Sequence, residues 1–245
     1  MEIIDYTTKD MIIRYIHDSQ TSTLGFTLIP KDAIDDVVAH RETLDDLPEI
    51  KAIAGRLGAF PAWRVDSCVQ IKCIGDAYPG GFGQGRTMRR SETVDLLTYK
   101  SQWVDRTDLG FDIVSELAHP SGWVVHHHCL YQNETDYVTV WTELHNTSKQ
   151  TVETELLSAF SMSFMTPFSS ESSHESLYLH RFRSNWSAEG RHDVSLFEDL
   201  HLERSWSGHS ANTLRFGRVG SMPVREFFLG RLLRIANNLC SGLCS

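Results

Sequence analysis

The sequence predicts an all-β fold, a sandwich of mostly antiparallel strands, and three observations support this prediction. Runs of apolar or alternating apolar and polar residues recur at spacings of roughly 10 to 15 residues, with turn-forming residues between them. The sequence shows neither an alternation of strands with amphipathic helices nor an internal repeat. With 245 residues, of which 41% are hydrophobic and 22% charged, the chain is long enough to bury a substantial core.

The candidate strands follow one another along most of the chain. The first two are runs at residues 11–16 and 24–29, and the third is the alternating run CVQIKCI at residues 68–74. The later candidates occupy residues 93–104, 111–117, 123–131, 137–144 and 152–165. Turn signals at residues 108–110, 120–122, 133–135 and 146–150 separate these later strands.

Three segments depart from the strand pattern. The acidic segment 31–53 has only weak helical spacing, at Ile34, Val37 and Val38, and is predicted to be a loop with a short helical turn. Residues 169–176 form a run of polar residues and predict another loop. The final residues, GRLLRIANNLCSGLCS at 230–245, place their apolar side chains on a helical stripe, which predicts a short helical tail.

Net charge and cysteine content restrict the partners and the compartment of the chain. The formal net charge of −9 argues against nucleic acids and anionic membranes, because lysine and arginine supply the affinity for phosphates. The sequence contains no run of ~18 apolar residues and begins without the apolar core of a signal peptide. Five cysteines without a dense framework predict reduced thiols. We therefore expect a cytoplasmic protein that binds neither nucleic acid nor membrane.

The histidine run His126-His127-His128 is the most conspicuous candidate for metal chemistry. Side chains of a strand alternate between its two faces, so His126 and His128 should share one face and His127 should lie on the other. A zinc site needs at least three protein ligands, and the sequence does not identify a third one. The glycine-rich stretch 80–86 lacks the lysine and the following helix of a phosphate loop. We therefore predict neither a metal site nor a cofactor.

The tryptophans leave two interpretations open. Six of them are spread along the chain, and Trp186 and Trp206 lie in polar contexts, NWSAEGR and ERSWSGH. Indole rings beside arginine, asparagine and glutamate suit a sugar-binding surface, which needs an apolar face for stacking and polar groups for hydroxyls. The residues themselves favour the simpler interpretation, in which these rings are ordinary aromatics of the core or of strand ends.

Five stretches of the chain together resemble glycoside hydrolase family 36, the α-galactosidases. They occur in the order expected of that family and cover residues 1–228 overall. The most specific one is HRFRSNWSAEGR at residues 180–191. The others are SCVQIKCIGDAYPGGFGQGRTMRRSET at residues 67–93, FDIVSE at 111–116, YVTVWTELHN at 137–146 and GRVGSMPVREFF at 217–228.

The resemblance implies that residues 1–228 form the family's N-terminal β-supersandwich, a fold similar to galactose mutarotase, and that it is incomplete at its end. The family's two catalytic aspartates lie on a following (β/α)8 barrel, which this sequence does not include. Residues 229–245 do not resemble the family, as expected of a truncation. The chain alone is therefore expected to lack hydrolysis of α-galactosides such as melibiose and raffinose.

Other properties of the family lead to expectations about partners and site residues. Its members act on galactosides and often form homo-oligomers in which N-terminal loops approach a neighbour's active site. The loop at residues 59–66 would then bring Trp63 and Arg64 to the substrate. Two alternatives to a non-catalytic enzyme domain remain open. One is a stand-alone carbohydrate-binding module, and the other is a mutarotase-like epimerase, which would need a histidine and a glutamate to converge in one cleft.

Overall fold

The structure is a computed structural model. It describes residues 2–34, 65–76, 91–162, 177–185, 188–196, 199, 226–227 and 232–234. The chain divides into two compact units. The first comprises Met1–Gly81 and Met88–Met165, and the second comprises Phe82–Thr87 and Thr166–Ser245.

The described part of the first unit is almost entirely β-structure. Its strands are β1 Glu2–Thr7, β2 Met11–Asp18, β3 Thr23–Pro30, β4 Ile71–Cys73, β5 Thr98–Thr107, β6 Gly110–His119, β7 Trp123–Gln132, β8 Val138–Asn146 and β9 Thr154–Leu157. They form three antiparallel sheets with the orders β1-β2-β3, β4-β9 and β5-β6-β7-β8. The described helical elements are a 3-10 turn at Lys31–Ala33 and the helix α1 at Glu92–Leu96.

The three-stranded and four-stranded sheets enclose a common apolar core, which makes this unit a sandwich. Tyr15 and Phe26 from the first sheet are fully buried and pack on His127 of the second, with ring centroids 5.9 and 5.2 Å from the imidazole. The hydroxyl of Tyr6 donates a 2.6 Å hydrogen bond to Gln102 across the core. Burial of each large side chain contributes about 1.5–3 kcal/mol. The predicted all-β sandwich is confirmed.

Most predicted strands are confirmed, and the exceptions have identifiable causes. The predictions at residues 11–16, 24–29, 111–117, 123–131 and 137–144 correspond to β2, β3, β6, β7 and β8. β4 and β9 occupy only parts of the runs predicted at 68–74 and 152–165, and β1 was not predicted. The strand predicted at 93–104 is wrong at its beginning, where α1 lies. Ser91 caps this helix by accepting a 3.1 Å hydrogen bond from the backbone N–H of Val94.

Glycines enforce the tight turns between the strands of the larger sheet. Gly110, the first residue of β6, has a φ of +150°, and a side chain there would overlap the carbonyl oxygen of Tyr131 on β7. Gly122, between β6 and β7, has a φ of +88° and faces more open space. The turn signals read from the sequence therefore lie where the sheet reverses.

The second unit contains a hairpin with two further short strands. Its strands are β10 Leu177–Asn185, β11 Ala188–Leu196, β12 Glu226–Phe227 and β13 Leu232–Arg234, and each of the others pairs antiparallel with β10. The stretch HRFRSNWSAEGR runs through the end of β10 and the beginning of β11. The prediction of a helical tail is wrong for residues 232–234, which form β13. Their pairing with β10 gives them a strand conformation instead. The other residues of the tail lie outside the described part.

Candidate functional site

Alternation along β7 separates a buried face from a polar outer face. Val125, His127 and Cys129 are fully buried against the core, whereas His126 and His128 point the other way and are partly exposed. The prediction that His126 and His128 share one face is confirmed.

The register of the sheet extends this outer face across four strands. His126 lies between Glu116 of β6 and Glu143 of β8, and His128 lies between Val114 and Trp141. We use "outer face" for the fifteen positions that these pairings align: Ser101, Trp103, Asp105, Asp112, Val114, Glu116, Ala118, Val124, His126, His128, Leu130, Thr139, Trp141, Glu143 and His145. Four of these positions carry carboxylates and none carries lysine or arginine, so the outer face attracts cations.

Carboxylate–histidine contacts hold the polar side chains of the outer face together. His128 donates its Nδ1–H to Asp112 Oδ2 over 2.8 Å, and its Nε2 lies 3.8 Å from Glu143 Oε1. That Nε2 is buried and has no hydrogen-bond partner. His126 Nε2 is 3.4 Å from Glu116 Oε2, and His145 Nε2 is 3.1 Å from Glu143 Oε2. Every imidazole of the outer face therefore has a carboxylate beside it.

Two indole rings border this cluster. Trp103 donates its N–H to Asp105 over 3.2 Å, and its ring meets His126 edge-on at a centroid distance of 5.5 Å. Trp141 donates to Glu143 over 3.2 Å and stacks on His128 at 4.4 Å. The hydrogen bond from Trp141, together with the nearby histidines, lowers the pKa of Glu143 and so favours its charged form. Trp103 remains 38% exposed, which leaves indole surface for a ligand.

Three side chains of the outer face are placed to act together as metal ligands. One ligand atom each from His126, Glu143 and His145 lies within 4.8 Å of the other two. The sequence did not identify Glu143 or His145 as partners of His126. The signal was nevertheless present, because Glu143 and His145 alternate along the strand predicted next after the histidine strand.

His127, on the inner face, is a core residue and takes no part in this cluster. Its Nδ1 lies 3.3 Å from the hydroxyl of Tyr15, and burial lowers the pKa of the imidazole to about 3. The histidine therefore stays neutral at physiological pH. Its Nε2 has no hydrogen-bond partner.

A second polar region lies at one end of the sandwich, in an open cleft of about 410 Å³ beside β4. Its lining includes His119, Asp76, Gln150 and Glu153. His119 stacks on the buried ring of Trp123 at 4.3 Å, and desolvation lowers the pKa of its imidazole. The cleft offers hydrogen-bonding groups, but no aromatic ring in its lining is exposed enough for stacking.

The site residues taken from the family resemblance are not tested. Trp63 and Arg64 lie outside the described residues, as do Trp186, Trp206 and the glycine-rich stretch 80–86. The described cysteines Cys68, Cys73 and Cys129 are free thiols. Within the described ranges, no helix has both the length and the apolar character needed to span a membrane.

Comparisons with protein-family models, with curated proteins and with solved structures found no match to this chain. The predicted resemblance to the α-galactosidases therefore stays a prediction, and the outer face is the structural basis for a functional proposal.

Proposed function

We propose that this chain is a non-catalytic, sugar-binding β-sandwich domain, the N-terminal domain of an α-galactosidase-like enzyme of glycoside hydrolase family 36. The all-β architecture agrees with that assignment. Of the resembling stretches, FDIVSE lies within β6, YVTVWTELHN covers β8, and HRFRSNWSAEGR includes parts of β10 and β11. The free thiols agree with a cytoplasmic location, which is part of the same proposal.

The observation that carries the sugar-binding part is the exposed Trp103 beside a row of carboxylates and imidazoles. An indole face stacks on the apolar face of a pyranose, and neighbouring carboxylates accept hydrogen bonds from its hydroxyls. On the outer face these groups belong to one rigid sheet, so binding requires little ordering of side chains. Asp105 fixes the indole of Trp103 by accepting a hydrogen bond from its N–H. Galactosides with a terminal α-linked galactose are the ligands that the family resemblance favours.

Titration with melibiose tests this proposal, with tryptophan fluorescence as the readout and sucrose as the control sugar. We expect saturable binding of melibiose and an affinity loss of about tenfold or more in Trp103→Ala, which corresponds to about 1.4 kcal/mol. The matched control is Ile3→Ala on the other sheet, where a side chain of similar exposure (42%) is removed. Absence of melibiose binding, or equal losses in both variants, would contradict the proposal.

A p-nitrophenyl α-galactoside assay tests the non-catalytic part. Retaining hydrolysis requires two carboxyl groups about 5–5.5 Å apart on either side of the scissile bond. The family resemblance assigns that pair to a barrel outside this sequence. We expect no turnover, and turnover that survives repurification would refute the proposal.

A mutarotase-like activity is the second candidate, and the convergence of histidine and glutamate on the outer face favours it. Anomer exchange needs a base for the anomeric hydroxyl proton and an acid for the ring oxygen. The pairs His126–Glu116 and His145–Glu143 supply both kinds of group on one surface. Polarimetry of freshly dissolved α-galactose decides the question. Acceleration that is lost in Glu143→Gln would favour this activity over simple binding.

A further inference from the structure

We propose that His126, Glu143 and His145 form a binding site for a divalent transition-metal ion of the zinc type. This inference goes beyond sugar binding and does not depend on it. It rests on the arrangement of ligand atoms on the outer face, where strands β7 and β8 supply all three groups.

The spacing of the three groups suits a single ion. Zinc ligands lie about 2.1 Å from the ion, so two ligands of a tetrahedral site are roughly 3.4 Å apart. His145 Nε2 and Glu143 Oε2 are already 3.1 Å apart. The rings of His126 and His145 are 4.7 Å apart between centroids, and all three ligand atoms lie within 4.8 Å of one another. Small rotations of these side chains, of which Glu143 and His145 are exposed, therefore complete the site.

The backbone register explains why these three side chains meet. Glu143 is the direct cross-strand partner of His126, and His145 lies two residues further along β8 on the same face. Cross-strand and diagonal neighbours on one face of an antiparallel pair are close enough for side-chain contact. A metal here would tie β7 to β8.

The neighbouring His128 provides a second, independent feature of metal sites. Its Nδ1–H is held by Asp112, which leaves a lone pair on Nε2. That Nε2 is buried, has no hydrogen-bond partner and lies 3.8 Å from Glu143 Oε1. A histidine oriented by a carboxylate through its other nitrogen is the usual arrangement around bound zinc. His128 is therefore placed to approach the ion from the side of Glu143.

The donor set decides the class of ion. Two imidazoles and a carboxylate suit zinc and neighbouring first-row metals, whereas calcium and magnesium prefer oxygen ligands only. The other carboxylates, Asp112 and Glu116, add negative charge close to the ion. Three protein ligands also leave a position open for water or for an additional ligand.

Isothermal titration calorimetry with ZnCl2 tests the site in the full chain, produced without a histidine tag. Cys240→Ser and Cys244→Ser are included in every protein, so that these thiols do not contribute. We expect one ion per chain with a Kd on the order of 1 µM or below. Substitution with Co2+ should give the intense visible absorption of a four-coordinate ion.

Single substitutions identify the ligands. Loss of a residue that only orients a ligand lowers metal affinity by about 10- to 100-fold, so Glu116→Gln, which alters the carboxylate 3.4 Å from the ligand His126, should fall in this range. His126→Ala, Glu143→Gln and His145→Ala should each lower it by more than about 100-fold. The matched control is His17→Ala, which removes a histidine paired with Glu2 on the other sheet at 3.5 Å. Its affinity for zinc should equal that of the parent chain.

Two outcomes would overturn the proposal. One is no stoichiometric binding of zinc, and the other is an equal loss of affinity in His17→Ala and the three ligand variants. Circular dichroism of each variant shows whether the sheet is retained, and Glu143→Gln changes the charge with almost no change in volume. Because the titration contains no sugar, its result is separate from that of the melibiose titration, which is done in EDTA.

Discussion

Acidification should destabilise the fold through His127, whose imidazole is fully buried between Tyr15 and Phe26. Burial lowers the pKa of His127 from 6.5 to about 3. In the unfolded chain the imidazole takes up a proton below pH 6.5, whereas in the folded chain it remains neutral until about pH 3. His127 therefore does not change the free energy of unfolding above pH 6.5, and it lowers that free energy progressively as the pH falls from 6.5 towards 3.

The size of the effect follows from linkage. Each pH unit below 6.5 costs about 1.36 kcal/mol until the folded pKa is reached. The loss is therefore about 2 kcal/mol at pH 5 and approaches roughly 5 kcal/mol near pH 3. The neighbouring His128 also lowers the pKa of His127, whereas Tyr15 and Cys129 keep their protons over this range because burial raises the pKa of each.

Urea unfolding of the parent chain and of His127→Gln isolates this contribution. Glutamine is polar but does not titrate, so the parent should lose about 2 kcal/mol more than the variant between pH 8 and pH 5. Measurements in EDTA remove any influence of bound metal. The carbon and proton shifts of the His127 ring, followed by NMR, provide a direct check. Parallel pH profiles of the two proteins, or a ring that titrates above pH 5, would refute the reasoning.

Two further predictions concern backbone geometry and thiol reactivity. Gly110→Ala should lower the free energy of unfolding by more than about 2 kcal/mol, because its Cβ would overlap the backbone of β7. Gly122→Ala, where the nearest atom is 3.6 Å away, should cost only about 1–2 kcal/mol from its positive φ, and equal losses would contradict this difference. Iodoacetamide at pH 8 should label the partly exposed Cys73 in the native chain but not the buried Cys68 and Cys129. Peptide mass spectrometry measures the extent of labelling at each cysteine. Fast labelling of Cys68 would contradict the prediction and show that the core opens readily.

The strands of the larger sheet could be predicted because each has regular alternation between clear turn signals. β7 alternates buried and exposed residues from Trp123 to Tyr131, and the glycine turn before it is visible in the sequence. The helix α1 could not be distinguished from a strand, because it is only five residues long and its apolar residues continue into β5. Its capping residue, Ser91, was the available signal.

The outer face could be predicted only in part. Alternation shows which residues of one strand share a face, but the register between strands decides which residues of neighbouring strands lie beside them. Alternation alone placed His126 and His128 together. Register could not be read from the sequence with enough precision, because β7 and β8 pair symmetrically about a point between Glu134 and Thr135. Reflecting His126 through the middle of the turn signal at residues 133–135 would instead place it opposite Thr142, and a slip of one residue exchanges the two faces. Distances between side-chain atoms, and the burial of the His128 Nε2, required the structure.

The proposals for the outer face differ in which groups they need. Sugar stacking uses the exposed ring of Trp103, whereas metal binding and acid–base chemistry both require the lone pairs of His126, His145 and Glu143. An ion bound to these side chains displaces their protons and removes them as general acids or bases. Zinc should therefore suppress any mutarotation while leaving the surface of Trp103 accessible. Measurements of sugar binding and of mutarotation, each with and without zinc, therefore assign each function to its own part of the outer face.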